Sequence, residues 1–157
     1  MGNNQPVYLT ADGKRKMEEE LDHLINVRRR EVAQMIAEAK AEGDLSENAG
    51  YDEAKLQQGF LEGKIRELEI TLRLAEIIQE GKGDIVGLGS TVVIREKNTK
   101  NDETYTIVGS AEADPSNGRI SNVSPIGKAL IDRKKGDKVK VNINDSETIT
   151  FEIRSIK

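Results

Sequence analysis

Residues 43–49 read Gly43-Asp44-Leu45-Ser46-Glu47-Asn48-Ala49, a short acidic turn between two long segments that both have the period of an amphipathic helix. Two such segments joined by a short turn predict an antiparallel two-helix coiled coil, with the turn at its free end. Each arm has about 30 residues that rise about 1.5 Å each, so the rod would be about 45 Å long. The carboxylates of Asp44 and Glu47 would lie at its tip.

The arm before the turn is predicted to begin at Thr10, whose hydroxyl suits an N-cap and which is followed by Asp12 in the first helical turn. Apolar residues then recur at heptad spacing, interrupted by Arg28, and they are Leu21, Ile25, Val32, Met35 and Ala39. The single histidine, His23, falls at an outer heptad position. We therefore expect a solvated imidazole and no histidine-based triad or zinc site.

The arm after the turn repeats the pattern in mirror order, to about Gln79. Its seam positions are Tyr51, Ala54, Gln58, Leu61, Ile65, Leu68, Leu72 and Ala75. Folding the chain back at the turn would place Ile25 near Ile65. Gly59 and Gly63 lie inside this arm, where each costs about 1 kcal/mol relative to alanine, and they indicate either a close approach or a bend.

Composition excludes several classes of protein. Of 157 residues, 36% are hydrophobic, 33% charged and 3% aromatic, so we expect modest aliphatic cores rather than a ligand cavity lined by rings. The absence of cysteine excludes disulfides and thiolate chemistry. No apolar run approaches the roughly 20 residues that span a bilayer, and the N-terminus lacks a signal-peptide pattern. We expect a reducing, cytoplasmic location and no membrane partner.

Charge differs between the two halves of the chain. Residues 1–80 carry 11 basic and 17 acidic side chains, whereas residues 81–157 carry 13 basic and 11 acidic ones. Neither half has the concentrated basic face with which proteins hold duplex DNA through its phosphates.

A change of period marks a second domain. Residues 81–84 end the helical pattern, and from Val86 apolar and polar residues alternate. Strands are predicted over 91–97, 104–109, 138–144 and 148–156. Ser124 and Pro125 have N-cap and N1 chemistry and predict a short helix over 125–131 that covers one sheet face. The prediction is an α+β protein, with a coiled-coil hairpin over residues 1–82 and a small antiparallel-sheet domain over residues 83–157.

Short motifs along nearly the whole chain, in colinear order, resemble those of the Gre-type bacterial transcript cleavage and elongation factors. In the first half they are residues 43–49 with Tyr51, Gln57-Gln58-Gly59-Phe60 and Glu62-Gly63. In the second half they are Gly89-Ser90-Thr91-Val92, Ile107-Val108-Gly109, Glu112-Ala113-Asp114, Ile120-Ser121, residues 124–131 and Gly136-Asp137. The resemblance implies a coiled coil that inserts into the secondary channel of RNA polymerase and an FKBP-like domain that docks beside the channel entrance.

The resemblance also implies roles for particular residues. The tip acids of this family help to hold the second Mg²⁺ of the polymerase active site, a role that falls on Asp44 and Glu47. Backtracked RNA would then be cut near its 3′ end by the polymerase, so the chain itself is not an enzyme and binds no cofactor tightly. Ser124, Pro125 and Ile126 would dock on RNA polymerase. The partners are RNA polymerase and the 3′ end of the RNA, and we expect a monomer.

The acidic turn has a second interpretation. Asp44-Leu45-Ser46-Glu47 is also a capping-box pattern, with Asp44 or Ser46 as the N-cap, and it could start the second helix without any catalytic role. Local sequence favours the capping box, whereas the position at the end of a rod and the family resemblance favour the metal role. Both can hold, because a cap can also present a carboxylate. Gly50 stands where the family usually has Glu. The loss of that acid and the backbone freedom of glycine would loosen the tip.

Other residues near the turn are weaker candidates. Lys40 and Lys55 would contact phosphates of the displaced RNA. Tyr51 would stack on a base, although a tyrosine at such a position more often packs in the seam. Residues 28–30 are three consecutive arginines that could also contact phosphates of the displaced RNA. A solvated helix face with salt bridges explains them at least as well.

Three functions of different classes are compatible with these observations. The first is the cleavage-stimulating factor just described. The second is a channel-binding regulator that does not stimulate cleavage; its relatives generally alter the tip acids, whereas Asp44 and Glu47 are both present here. The third is a prolyl isomerase, which needs a pocket walled by aromatic rings, and the second domain has only Tyr105 and Phe151.

Overall fold

The computed structural model describes residues 5–43, 48–78 and 83–157. The four residues Asp44, Leu45, Ser46 and Glu47 therefore lie outside the described residues, and so does the predicted domain boundary at residue 82. The chain divides into two compact units. The hairpin unit is Lys14–Leu74, and the sheet unit combines Met1–Gly13 with Ala75–Lys157.

The hairpin unit consists of two helical arms. The first arm runs through helix α1, a π-helical segment and helix α2, and the return arm is helix α3. Their bounds are Ala11–His23 for α1, Leu24–Arg28 for the π-helical segment, Arg29–Ala41 for α2 and Ala49–Arg73 for α3. The arms meet at a seam of buried side chains, and these are Val32, Leu61 and Ile65, with Leu21, Leu24, Ile25 and Ile36 packed against them. The central part of the predicted seam is confirmed.

The predicted seam needs correction at Met35 and at the end of the return arm, whereas Ala39 and Ala54 near the turn are buried as expected. Met35, expected in the seam, has 36% of its surface exposed. The return arm ends at Arg73 rather than near Gln79, because Ala75–Ile77 forms strand β2 instead of further helix.

Strand β2 pairs with a segment that precedes the first helical arm. Val7–Leu9 is strand β1, and the two strands run parallel with Val7 opposite Ala75. Leu9 is fully buried, and its carbonyl accepts a hydrogen bond from the Ile78 amide at 2.8 Å. Pairing satisfies the backbone groups of both short pieces, which outweighs the helical period around Ala75.

The start of α1 is tied to the sheet unit through a buried carboxylate. Thr10 is the N-cap, as predicted, since its hydroxyl accepts from the Gly13 amide at 3.0 Å. Glu112, with 3% of its side chain exposed, accepts from the Thr10 hydroxyl at 2.7 Å and from Arg119 at 2.5 Å. A Cβ on Gly13 would lie 1.9 Å from Glu112 Oε1, so only glycine leaves room for this carboxylate.

The sheet unit contains a five-stranded sheet in the order β5-β4-β3-β7-β6. The strands are β3 Thr91–Glu96, β4 Asp102–Val108, β5 Arg119–Ser121, β6 Lys138–Asn144 and β7 Glu147–Ile156. Four of these correspond to the predicted strands, while the three-residue β5 is an additional one. We expected a wholly antiparallel sheet, but β5 runs parallel to β4, so the sheet is mixed.

One face of the sheet is covered by helix α4, Pro125–Leu130, as predicted. Ser124 caps it: its hydroxyl accepts from the Gly127 amide at 3.1 Å and donates to the Ser121 carbonyl at 2.7 Å. The core between helix and sheet is aliphatic with one phenyl ring, and it consists of Val86, Val92, Ile94, Ile107, Ile120, Leu130, Val139, Val141, Phe151 and Ile153. Across the described parts of the chain, no helix has the length and apolar character needed to cross a membrane.

Candidate functional site

The described end of the hairpin is held together by Asn48. Its backbone is extended, at φ −89° and ψ 95°, and its Oδ1 accepts from the Tyr51 amide at 3.0 Å, so Asn48 is the N-cap of α3. Its amide nitrogen donates to the Ala39 carbonyl in α2 at 2.6 Å. One side chain therefore starts the return helix and also links the two arms. Because Asn48 occupies the N-cap, the capping-box hypothesis with Asp44 or Ser46 as the cap is wrong.

The first arm ends just before the acidic residues. The Glu42 amide donates to the Glu38 carbonyl at 3.2 Å, which closes the last turn of α2. Gly43 follows with φ 127°, a conformation that residues with a Cβ rarely adopt. Asp44 and Glu47 belong to the four residues that connect this glycine to Asn48.

Gly50 lies in the first turn of α3, next to the cap. A Cβ at this position would lie 3.3 Å from Asn48 Oδ1, which is a tight contact. Glycine therefore leaves the capping oxygen unobstructed. A larger residue, such as the Glu that the family resemblance leads one to expect, would press on it.

The predicted RNA-contacting residues lie on both arms near this end. Lys40 on α2 and Lys55 on α3 are exposed, and the Lys55 ammonium donates to Gln58 Oε1 at 2.7 Å. Tyr51 is half-buried. Their contacts with RNA stay predictions.

Further along the first arm, the arginine cluster is engaged within the chain. Arg29 makes two hydrogen bonds with the Glu62 carboxylate, each 2.8 Å long, and Arg28 pairs with Glu31. The hydrogen bond from Arg29 holds the pKa of the Glu62 carboxyl below its ordinary value, and the same contact raises the pKa of Arg29. The geometry favours the salt-bridged face over phosphate contacts for these two arginines. His23 is exposed, as predicted.

No group of three or more acidic or histidine side chains that could hold a metal ion occurs within residues 5–43, 48–78 and 83–157. The predicted metal-binding pair, Asp44 and Glu47, lies in the connection outside those ranges. Its role stays a prediction from the sequence.

The residues predicted to dock on a partner have unequal exposure. Ser124 caps α4, and Ile126 packs against the core of the sheet unit, so both side chains have a structural role in the fold. Pro125 is exposed, and so is its neighbour Val123, with 57% of its surface accessible. Of the three predicted docking residues, Pro125 is therefore the most exposed.

The two aromatic residues of the second domain do not support a prolyl isomerase. Phe151 has 5% of its surface exposed and belongs to the core. The Tyr105 hydroxyl donates to Glu103 at 2.7 Å at the protein surface. Phe151 also lines a surface cavity, but the other residues around it are polar or charged, among them Arg95 and Lys138, so it is not a pocket walled by aromatic rings.

Both halves of the chain match family models of transcription elongation factors. Residues 7–77 match the model described as "Transcription elongation factor, N-terminal", and residues 80–157 match "Transcription elongation factor, GreA/GreB, C-term". The transcription elongation factor GreA of Thermoanaerobacter pseudethanolicus is 51% identical over 89% of this chain and 90% of that protein. GreA of Acetivibrio thermocellus is 46% identical over 100% of this chain and 99% of that protein.

A solved structure gives a weaker likeness. The GreA factor homolog 1 protein of Thermus thermophilus is 28% identical, with a TM-score of 0.45, over 98% of this chain and 99% of that chain. The family matches and the sequence relatives, rather than this structural likeness, establish membership. The chain belongs to the GreA/GreB family of transcription elongation factors and is most like its GreA members.

Proposed function

We propose that this chain binds RNA polymerase, inserts its helical hairpin into the secondary channel and stimulates the polymerase's own cleavage of backtracked RNA. The observation that carries the proposal is the capping of α3 by Asn48. Because another side chain starts the helix, Asp44 and Glu47 are not needed for that purpose. In the sequence they lie near the middle of the inserted residues 14–74, between the two long helical arms.

The chemistry of the two acids suits a shared magnesium ion. Carboxylate oxygens are ligands that Mg²⁺ prefers, and Mg²⁺ takes six oxygen ligands in octahedral geometry, several of them usually water. Asp44 and Glu47 would supply only part of such a shell, so the polymerase and water would have to supply the rest. When bound, the ion activates a water molecule and stabilises charge on the phosphate. Asp44 and Glu47 would hold the ion and orient that water by accepting its hydrogen bonds.

The exposed lysines near the tip fit the same proposal. Lys40 and Lys55 would lie beside the phosphates of the extruded 3′ segment, and each would neutralise part of its charge. The exposed edge of Tyr51 would stack on a base. In the sheet unit, Pro125 is the predicted docking residue whose side chain is exposed.

The test is a cleavage assay on a stalled elongation complex with Asp44→Asn and Glu47→Gln, run beside a polymerase-binding assay. We expect each variant to bind as the parent does and to stimulate cleavage about 100-fold less, the size of effect seen when a charge-stabilising group is removed. Asp52→Asn is the matched control, since Asp52 is an exposed acid in the first turn of α3. If both variants cut as fast as the parent, the metal role is wrong.

The same two assays, applied to the parent protein, distinguish the proposed function from the channel-binding alternative. A parent protein that binds RNA polymerase but leaves the cleavage rate unchanged would be a channel-binding regulator. Gly50 is the feature that favours this alternative, because the acid usual in the family is missing there. Restoring it with Gly50→Glu would then raise cleavage, although the tight contact with Asn48 would partly offset the gain.

A further inference from the structure

Helix α3 carries apolar side chains on two opposite faces. One face is the buried seam, with Ala54, Leu61, Ile65 and Leu68. On the other side, Leu56 and Phe60 are four residues apart and so lie one above the other. Leu56 has 54% of its surface exposed and Phe60 has 70%. A helix that is apolar on both sides normally buries both sides, so the second face is missing a partner.

Two glycines lie on this second face beside the apolar pair. Gly59 and Gly63 follow Leu56 at spacings of three and seven residues, which are positions on one helix face. Within residues 5–43, 48–78 and 83–157, a Cβ built on either glycine meets no atom within 4 Å. Helix α3 continues from Ala49 to Arg73 through both of them. Contacts with these described residues therefore give no reason for choosing glycine over alanine, which is the better helix former.

We propose that Leu56, Gly59, Phe60 and Gly63, here called the outer face, dock against an apolar helical surface of RNA polymerase. The proposal rests on the proposed function. Glycines on a helix allow another backbone to come close, and the neighbouring Leu56 and Phe60 would then fill the space beside that backbone.

The distance from the tip makes RNA polymerase the occupant. Leu56 follows Asn48 by eight residues and Gly63 by fifteen, so the outer face lies about 12 to 22 Å from the cap along the helix axis. A hairpin whose tip reaches a buried active site must carry this stretch inside the same partner. The outer face therefore continues the interface that the tip begins.

The size of the outer face argues against a second copy of the chain. A fully buried aromatic side chain contributes about 150–250 Å², whereas a stable interface buries about 800 Å² on each partner. Two apolar side chains and two glycines are too small for a homodimer and suit one part of a larger interface. Because the outer face lies on one side of α3 only, docking there would fix the rotation of the hairpin about its axis. It would thereby aim Asp44 and Glu47.

The first experiment measures the affinity of the full-length chain for RNA polymerase after Phe60→Ala or Leu56→Ala. Alanine keeps the helix and removes the apolar contact, so we expect binding about tenfold weaker for Phe60→Ala and a smaller loss for Leu56→Ala. Val27→Ala is the matched control, because Val27 is an exposed apolar residue, 41% accessible, on the other arm. Its affinity should equal that of the parent.

The second experiment uses Gly63→Ala, which should raise the stability of the free chain and lower its affinity for RNA polymerase. Alanine is the better helix former and meets no atom, so the melting temperature of the free chain should rise by about 2 °C. The added methyl group would keep the partner backbone at a distance, so the affinity for RNA polymerase should fall. Weaker binding by a more stable protein cannot come from misfolding.

The outcomes separate this inference from the proposed function. If the parent binds and stimulates cleavage while Phe60→Ala and Gly63→Ala bind equally well, the outer face is not an interface and the proposed function stands. If the parent does not bind RNA polymerase at all, the proposed function fails first. If sedimentation shows a dimer that Phe60→Ala dissociates, the outer face joins two copies of this chain, and the polymerase assignment is overturned.

Discussion

The two compact units bury their side chains in different ways. The sheet unit has a core enclosed by the sheet and α4, in which Leu130, Ile94 and Ile107 are fully buried. The hairpin has a narrow seam in which Val32, Leu61 and Ile65 are buried, while the four apolar residues packed against them are only half-buried. An enclosed core keeps a cavity when a side chain is shortened, whereas a seam bounded by water can close up. Stability should therefore be concentrated in the sheet unit, and the hairpin should have surface available for partners.

The largest expected effect comes from breaking the enclosed core. Leu130→Ala would leave a cavity between α4 and the sheet and should lower the free energy of unfolding by about 4 kcal/mol. Urea unfolding followed by amide NMR signals of the sheet measures it. Lys128→Ala, on the exposed side of the same helix, should stay within about 0.5 kcal/mol of the parent. A loss below about 1 kcal/mol for Leu130→Ala would remove the distinction between the units.

A matched truncation in the seam should cost less. Ile65 is 2% exposed, but the neighbouring arm can move toward the space that Ile65→Ala leaves. We expect a loss of about 2 kcal/mol, measured by urea unfolding with the helical signal as the probe. A loss as large as that of Leu130→Ala would show that the seam is as rigid as the enclosed core.

The end of the hairpin should respond to its cap. Asn48→Ala removes both the cap and the link to α2, so protection from hydrogen exchange in the first turn of α3 should fall by about 1 kcal/mol. Asn48→Asp keeps an acceptor for the Tyr51 amide and removes the donor to Ala39. Protection close to the parent in Asn48→Asp, with loss in Asn48→Ala, assigns the effect to the cap; equal loss in both assigns it to the link.

The smallest effect concerns the exposed ion pair between the arms. Because Arg29 lowers the pKa of Glu62 in the folded chain, the pair stabilises the hairpin above the pKa that Glu62 has when unfolded. That contribution is lost as the pH falls through the lower, folded value. An NMR titration of the Glu62 carboxyl carbon should give a midpoint below the ordinary value for Glu. Arg29→Gln should move it back up, and an unchanged midpoint would contradict the assignment.

Local signals in the sequence predicted much of this architecture. Thr10 and Ser124 were expected as N-caps and are N-caps, because a hydroxyl before an amphipathic run accepts from the next turn whatever the rest of the chain does. Alternating apolar residues likewise predicted four strands, since the alternation of a half-buried strand depends only on the residues of that strand.

Features that depend on distant partners were not predictable in this way. Asp44, Ser46 and Asn48 are all good N-cap residues, and the contact between Asn48 and Ala39 distinguishes Asn48 only once the arms are folded. Glu112 sits in a polar stretch with no periodic signal, and its burial depends on Thr10, 102 positions away. The pairing of β1 with β2 joins three-residue pieces from opposite ends of the hairpin, which no local period reveals.

That strand pairing has a consequence for how such proteins change length. Since β1 and β2 lie side by side, the chain departs from the sheet unit and returns to it at neighbouring points, with residues 14–74 inserted between them. Seven residues added to each arm would lengthen the insertion by about 10 Å and keep every seam position in register. The length of the hairpin can thus change independently of the sheet unit. Evolution or a protein engineer can extend it in whole heptads without redesigning strands β1 and β2.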